Sequence, residues 1–525
     1  MSLRPALVAP WPLSLTAPAA LLCGGLMAWA LAPRAMPGLQ LLALAGLLLL
    51  IAAGRAGIGR SAGLGLLAGT GWMAGSFWWL YVSMHDYGGL AAPLAVLAVL
   101  ALAAALALLV AAAMALWRAL RSGRTGVDVA WLAALWLAIE LARGEWFTGF
   151  PWGASGYAHT DGLLAVLAPW IGVYGVGAVA AALSAWFALE LSARLSGRRD
   201  RWLALSLATL TLAGAGWLPA LRGPDFTQAG ERLSVTLLQG NVSQDEKFNA
   251  ERLPEALDWH LRTLLAARTD LVVAPETAIP LLPDQLPDGL WHQFTEQVGA
   301  SGQHVLVGLP LGDFEHGYTN SVAGLGPTGT PVYRYDKHHL VPFGEFVPRG
   351  FRWFVDAMHI PLGDFSRGPL VAPPFRVRGV AVAPNICYED LFGEELAARF
   401  VGAPADVPGV LANVSNIAWF GRSVAVPQHL QISRMRTLEL QRPMLRATNT
   451  GATVVIDHRG EVRHALPPHE RGVLVGEVES RSGLTPYAAW VGRTGLWPAW
   501  LFALGMMLWR VRRTSGSDQV RHALT

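Results

Sequence analysis

The chain has 525 residues, of which 53% are hydrophobic and only 15% charged, and its formal net charge is +3 at pH 7. Ordinary soluble domains carry roughly 25% charged residues, so the deficit excludes a wholly soluble chain. Many arginines sit at the ends of apolar runs rather than in one basic stripe, which argues for membrane topology and against nucleic-acid binding.

A membrane-spanning helix needs about 20 apolar residues. Apolar runs at 10–32, 37–54, 62–83, 88–117, 127–147, 163–193 and 202–220 predict seven spans, and a last run at 488–509 predicts an eighth. The first run contains Cys23, preceded by Ala20-Leu21-Leu22. A lipobox wants a small residue directly before the cysteine, so Cys23 reads as a small apolar residue in an uncleaved anchor. With Cys387 the only other cysteine, no disulfide framework is expected.

Placing the N-terminus in the cytoplasm puts Arg4, Arg55, Arg60, Arg118, Arg121, Arg124, Arg194, Arg198, Arg199, Arg201, Arg510, Arg512 and Arg513 on that side. The short outer loops then hold little beyond Arg34 and Arg143. This bias follows the positive-inside rule and sets both termini inside, with the polar block 221–485 outside. Near the outer end of the fifth predicted span, Glu140 and Arg143 are spaced to share a helix face. They stand as either a functional or a helix-orienting pair. The loop from Trp146 to Trp152, next along the chain, is rich in aromatics.

In the polar block, β-rich runs at 234–241, 270–275, 304–310, 331–336, 377–386, 407–415 and 452–456 alternate with helical patterns at 250–267, 286–299, 391–401 and 427–441. That alternation predicts one α/β domain. Three strand ends bear reactive groups. Asp270-Leu-Val-Val-Ala-Pro-Glu276 ends on a carboxylate. Tyr333-Arg-Tyr-Asp-Lys337 ends on an amine. Val380-Ala-Val-Ala-Pro-Asn-Ile-Cys387 ends on a thiol. Of 40 basic residues only Lys247 and Lys337 are lysine, so a lysine here marks a place where an amine is wanted. Cys387 would be a nucleophile, with its thiolate favoured by the amides of the helix beyond it. Glu276 would be its general base and Lys337 an oxyanion stabiliser.

In combination these motifs are recognisable. APETAIP at 274–280, YDKHHLVPFGEFVP at 335–348 and NICYED at 385–390 resemble the Glu–Lys–Cys site of the nitrilase superfamily. LQGNVSQDEKF at 238–248, NIAWFG at 416–421, the stretch 428–451, LTPYAAWVGRTG at 484–495 and GFPWGASGYAHTDG at 149–162 are similar to the bacterial apolipoprotein N-acyltransferase family. The resemblance implies a polytopic α-helical membrane domain of eight spans plus a nitrilase-like α/β domain, an αββα sandwich, in the periplasm. The expected divisions are residues 1–220, 221–485 and 486–525, the last being the eighth span and a cytoplasmic tail.

It further implies a location in the bacterial inner membrane and a ping-pong reaction. An acyl chain passes from a phospholipid, typically phosphatidylethanolamine, to a thioester on Cys387. It then passes to the α-amino group of the diacylglyceryl-cysteine that begins an apolipoprotein. By motif, Glu345 supports Lys337 or proton transfer, Tyr388 offers a second oxyanion donor through its backbone N–H, and Glu389 orients its neighbours. Trp419, Phe248 and Trp152 fall on substrate-side positions. Phe248 stands where tryptophan is common, and Ile417 where aspartate is usual, so a hydrogen bond from position 417 is absent. Lys247 matches a lysine of the family pattern, with a role near the site or in a salt bridge. No cofactor is implied, and the expected state is a monomer.

His338, His339 and His429 invite a metal, but no ligand framework such as HExxH accompanies them, and the family needs none. Phe343, Phe346, Phe351, Trp353, Phe354 and Met358 form an aromatic-rich stretch read as a lid or as core packing. Two other functions compete: a membrane-tethered amidase using the same three residues, which would not need eight spans, and a catalytically silent assembly factor, which would not need the triad.

Overall fold

The computed structural model describes residues 11–523, except 55, 199–200, 220–222, 245–250, 349 and 353–363. The chain divides into two compact units. One comprises Met1–Trp78, Val96–Arg222 and Leu496–Thr525, and the other Trp79–Ala95 and Gly223–Gly495.

The first unit is helical. Its main helices are Leu13–Trp29, Pro37–Ala52, Ile58–Phe77, Ala92–Ala119 from Val96 onward, Thr125–Glu145, Ala168–Leu195, Trp202–Trp217 and Trp497–Ala523. Small residues let these helices approach closely, as expected where lipid removes the hydrophobic drive for association. A Cβ added to Gly24 would lie 1.9 Å from the carbonyl oxygen of Ala68, so Leu13–Trp29 and Ile58–Phe77 touch backbone to backbone there. Among the described residues three helical stretches are long and apolar enough to cross a membrane: Ala92–Ala119, Thr125–Thr148 and Leu163–Leu195. Leu13–Trp29, Pro37–Ala52 and Trp202–Trp217 are apolar but shorter. At the C-terminal end the expected run from 488 is divided at Gly495, whose φ of +59° stops one helix, Pro486–Thr494, before the next begins at Trp497.

The second unit holds two six-stranded sheets. The first contains β1 (Thr227–Gln239), β2 (Leu271–Val273), β3 (His304–Asp313), β4 (Gly317–Leu325) and β5 (Tyr333–Asp336). The second contains β6 (Phe375–Val377), β7 (Val380–Ile386), β8 (Val410–Ser415), β9 (Met444–Thr448), β10 (Val454–Ile456) and β11 (Val462–Ala465). β12 (Gly472–Gly483) returns to pair antiparallel with β1, giving orders β12-β1-β2-β3-β4-β5 and β11-β10-β9-β8-β7-β6. Each sheet is parallel at its centre, through β1-β2-β3 and β7-β8-β9.

Alternation along the strands explains the layering. Leu233, Val235, Leu237, Leu271, Val273 and Leu306 enter one buried cluster with Val382, Ile386, Val410, Val414 and Leu445 of the other sheet. The intervening Leu238, Val272, Val305 and Val307 turn the other way and pack with Leu257, Leu264, Phe294 and Val298 of helices Leu253–Ala266 and Leu290–Ser301. The result is a two-sheet sandwich with its core between the sheets, each buried aliphatic side chain worth about 1.5–3 kcal/mol. The seven expected strand runs all correspond to strands, while β4, β6, β9, β11 and β12 were not anticipated. Ligands of such parallel sheets gather beyond the carboxyl ends of the parallel strands; Glu276 and Cys387 follow two of these, β2 and β7, while Lys337 follows the antiparallel edge strand β5.

Candidate active site

Glu276 lies just beyond β2, and Lys337 and Cys387 come directly after β5 and β7. Lys337 is fixed by sheet register: its N–H donates to the carbonyl of Asn320 on β4 at 2.9 Å. Its ammonium, 1% exposed, donates to Glu345 Oε1 at 2.9 Å and reaches Glu276 Oε1 at 3.4 Å. Asn320 Nδ2 donates to the same two oxygens, each at 2.7 Å. Glu345 Oε2 accepts from the Val341 N–H at 2.8 Å, and Glu276 Oε2 accepts from the Asn416 N–H at 2.8 Å. Two of the three Lys337 N–H bonds are thus used, and one remains for a reacting oxygen.

Cys387 is the partly exposed member of this group. It sits at φ +51°, a strained conformation for a side chain with a Cβ and a frequent mark of a reacting position. Thr277, next to Glu276, is likewise at φ +52°. The Ser415 hydroxyl, at the carboxyl end of β8, lies 3.2 Å from Cys387 Sγ.

Burial, reinforced by the Glu276 carboxylate, pushes the Cys387 thiol up to about 12, against the opposing pull of Lys337, Ser415 and the Asn416 N–H. This reverses the thiolate expected from a helix N-terminus. Cys387 opens a 3-10 turn, Cys387–Leu391, too short to offer a helix dipole, and two carboxylates lie close by. Burial alone would lower the Lys337 pKa, but Glu345, Glu276 and Cys387 more than offset it, so the ammonium stays charged. The resting site is a neutral thiol beside one ammonium and two carboxylates.

That set can perform acyl transfer: a base to receive a thiol proton, a partly exposed nucleophile just past a buried strand, and a cation with a bond to spare. Two comparisons decide the family. Residues 23–186 match the apolipoprotein N-acyltransferase N-terminal domain, and residues 234–487 match the carbon-nitrogen hydrolase family. The apolipoprotein N-acyltransferase of Verminephrobacter eiseniae is 49% identical over 460 residues, covering 84% of this chain and 85% of that one. That of Ralstonia nicotianae is 47% identical over 493 residues, covering 93% and 91%. The chain belongs to the apolipoprotein N-acyltransferase family. Among solved structures, the C. elegans NitFhit protein aligns over 51% of this chain and 64% of its own, at 16% identity and a TM-score of 0.38.

The other residues expected of an apolipoprotein N-acyltransferase fall in several places. Glu389 is buried and saturated: Oε1 accepts from the N–H groups of His338 and His339 at 2.7 and 3.2 Å, and Oε2 from Ile386 N–H and Tyr335 hydroxyl at 2.6 and 2.8 Å. It ties the strand leading to Cys387 to the segment leaving Lys337. The Tyr388 ring packs edge-on to Phe392, 5.2 Å between centroids, and its backbone adjoins the nucleophile. Trp419 lies on the turn Ala418–Phe420, just beyond Ser415 and Asn416, with Tyr87 edge-on at 5.9 Å. Ile417 is buried against Gly451. Trp152 is buried in the helical unit, where its carbonyl accepts from Arg143 at 2.7 Å. Phe248, Lys247, Trp353, Phe354 and Met358 lie outside the described residues. Within the expected lid stretch, Phe343 and Phe351 meet edge-on at 5.5 Å. His338 and His339 serve Glu389 through their backbones.

Asn320, Ser415 and Asn416 were not anticipated. Asn416 opens NIAWFG, a segment already marked by resemblance, and so was within reach of the sequence. Asn320 was not, because its strand was not recognised.

Proposed function

We propose that this member of the family transfers an acyl chain from a phospholipid, with phosphatidylethanolamine the expected donor, to the α-amino group of a diacylglyceryl-cysteine at an apolipoprotein N-terminus. Catalytic roles fall to Glu276, Lys337 and Cys387. Glu276 takes the proton of the Cys387 thiol as sulfur attacks the ester carbonyl. The oxyanion forms against the remaining Lys337 N–H and the Tyr388 backbone N–H. Collapse of the intermediate expels the lysophospholipid alkoxide, which recovers the proton from Glu276, and leaves a thioester. The acceptor amine then attacks that thioester, Glu276 takes one amine proton, and the departing sulfur is reprotonated by it.

Charge balance supports this order. At rest Glu276 and Glu345 exceed Lys337 by one negative charge. Moving the thiol proton onto Glu276 passes that one excess charge to the oxyanion, so the net charge of the buried site does not change as the intermediate forms. Glu345 and Asn320 hold Lys337 and Glu276 in position. Aminolysis over hydrolysis requires restricted water at the thioester, a role for Trp419, Phe248 and the aromatic stretch 343–365.

Eight spans, both termini cytoplasmic and a periplasmic catalytic domain remain the favoured arrangement, supported by the arginine bias and by the helix order of the first unit. A monomer is the expected state. The observation that carries the proposal is the partly exposed Cys387 beside the buried Lys337, Glu276 and Glu345. Incubation with labelled phosphatidylethanolamine and a diacylated lipopeptide tests it. Label on Cys387 and then amide-linked label on the peptide supports it, while ammonia release from small amides without lipid labelling contradicts it.

A further inference from the structure

His429 has no part in the chemistry above, yet it lies directly behind the nucleophile. Helix Ala425–Leu440 places His429 and Ser433 one turn apart on the same face. Both meet Asp390, the third residue after Cys387, and Arg446 of β9. All four are buried, with His429, Asp390 and Arg446 at 1% exposure or less.

The hydrogen bonds leave little freedom. Arg446 Nη1 donates to Asp390 Oδ2 at 2.9 Å, and Ser433 Oγ donates to the same oxygen. Arg446 Nη2 lies 3.2 Å from His429 Nδ1. A guanidinium can only donate, so Nδ1 must accept, and the single ring proton sits on Nε2. Nε2 faces Asp390 Oδ1 at 2.8 Å and the Cys387 carbonyl oxygen at 3.2 Å, both acceptors. The Cys387 carbonyl receives a second donor, Asn413 Nδ2 of β8, also at 3.2 Å. Burial would raise the Asp390 carboxyl, but the hydrogen bond from His429, the charge of Arg446 and the hydrogen bond from Ser433 act against it and hold it below its ordinary range, so the acceptor stays ionised.

We propose that His429, held by Arg446 as the neutral tautomer protonated at Nε2, is a positioning residue that clamps the Cys387 carbonyl and Asp390 and thereby keeps the nucleophile at its strained φ. This rests on Cys387 being the nucleophile. A cysteine at φ +51° is not where the chain would settle unaided, and a displacement of about 1 Å at a reacting atom can cost on the order of 100-fold in rate. Asp390 and Arg446 neutralise each other, so the imidazole can act as a fixed donor rather than as a third charge.

The test uses the full-length protein in phosphatidylethanolamine nanodiscs, with time-resolved mass spectrometry of Cys387 acylation and folding checked by thermal melting. H429A is expected to acylate on the order of 100-fold slower than the parent, with an unchanged half-saturating phospholipid concentration. H429Q keeps one donor and one acceptor in a neutral side chain and is expected to recover most of that loss. If H429A fails to fold, H429Q alone decides. A folded H429A that acylates at the parent rate overturns the inference, and so does a folded H429Q as slow as, or slower than, the H429A expectation, because the ring would then act through charge or proton transfer. If the parent shows no adduct at Cys387, the nucleophile assignment itself fails, an outcome distinct from either.

Discussion

Each unit contains a buried ion cluster, and the two are built on opposite accounts of charge. In the helical unit one carboxylate meets one guanidinium. Glu140 Oε2 and Arg143 Nη2 are 2.5 Å apart, Arg143 also donates to the carbonyls of Phe150 and Trp152 at 3.1 and 2.7 Å, and Glu140 Oε1 accepts from the Ser155 N–H and hydroxyl at 2.9 and 2.7 Å. Charges match and the spare donors go to loop backbone, so the pair shapes the segment 146–155, where Phe147 and Thr148 lie at φ +55° and +76°. In the α/β unit two carboxylates share one ammonium beside a neutral thiol. That imbalance would be a poor way to hold a loop, since a buried unmatched charge is costly. It suits a site in which the excess negative charge moves from a carboxylate to the oxyanion as the thiol proton is taken up.

The comparison breaks most sharply at Cys387. Cys387→Ala is expected to abolish both half-reactions, read as loss of any acyl adduct and of lipopeptide product. Glu276→Gln is expected to slow phospholipid acylation by about 10²–10⁴-fold, the usual worth of a general base. Removing that carboxylate also removes a force that raises the thiol. Alkylation by iodoacetamide at pH 9, which needs only thiolate, should therefore become faster in Glu276→Gln as acylation collapses. In the parent, with the thiol at about 12, alkylation should keep rising with pH beyond 9 instead of levelling near the ordinary cysteine value. A plateau near 9 would show that the carboxylate imbalance does not act on the sulfur.

Lys337→Met should lower acylation by about 10²–10³-fold, the loss of one strong oxyanion donor, and destabilise the fold, since Glu276 and Glu345 would then face each other unneutralised. A rate near that of the parent would remove the ammonium from the oxyanion. The smallest kinetic effect is expected in the matched pair. Glu140→Gln leaves Arg143 without its counter-charge and should cost about 3 kcal/mol of stability, seen as a lower melting temperature, with the acylation rate of the folded fraction unchanged. A large rate loss without destabilisation would mean that this pair works in the reaction.

The strand ends were legible because each reactive residue closes an apolar run, and the two lysines in 525 residues drew attention to position 337. β4 was not, since Gly-Tyr-Thr-Asn-Ser at its start reads as turn-like polar sequence. Asn320, the residue that holds the two carboxylates together, was hidden with it. The elevated thiol was not legible either, because it depends on which charges converge after folding and not on the residues next to Cys387 along the chain. His429 was noticed for the wrong chemistry: a histidine without a metal framework looked idle, and only the packing of Ala425–Leu440 against Asp390 and Arg446 gives it a task. The division at Gly495 escaped because residues 488–509 are apolar apart from Arg493 and Thr494, and a single left-handed glycine carries no hydropathy signal of its own.

The most direct measurement is mass spectrometry of the peptide containing residue 387 after incubating the intact enzyme with phosphatidylethanolamine and no acceptor. The expected result is one fatty-acyl thioester on Cys387, stable until a diacylated lipopeptide is added and then discharged onto its α-amino group. An unmodified Cys387 in an enzyme that still N-acylates the lipopeptide would contradict it.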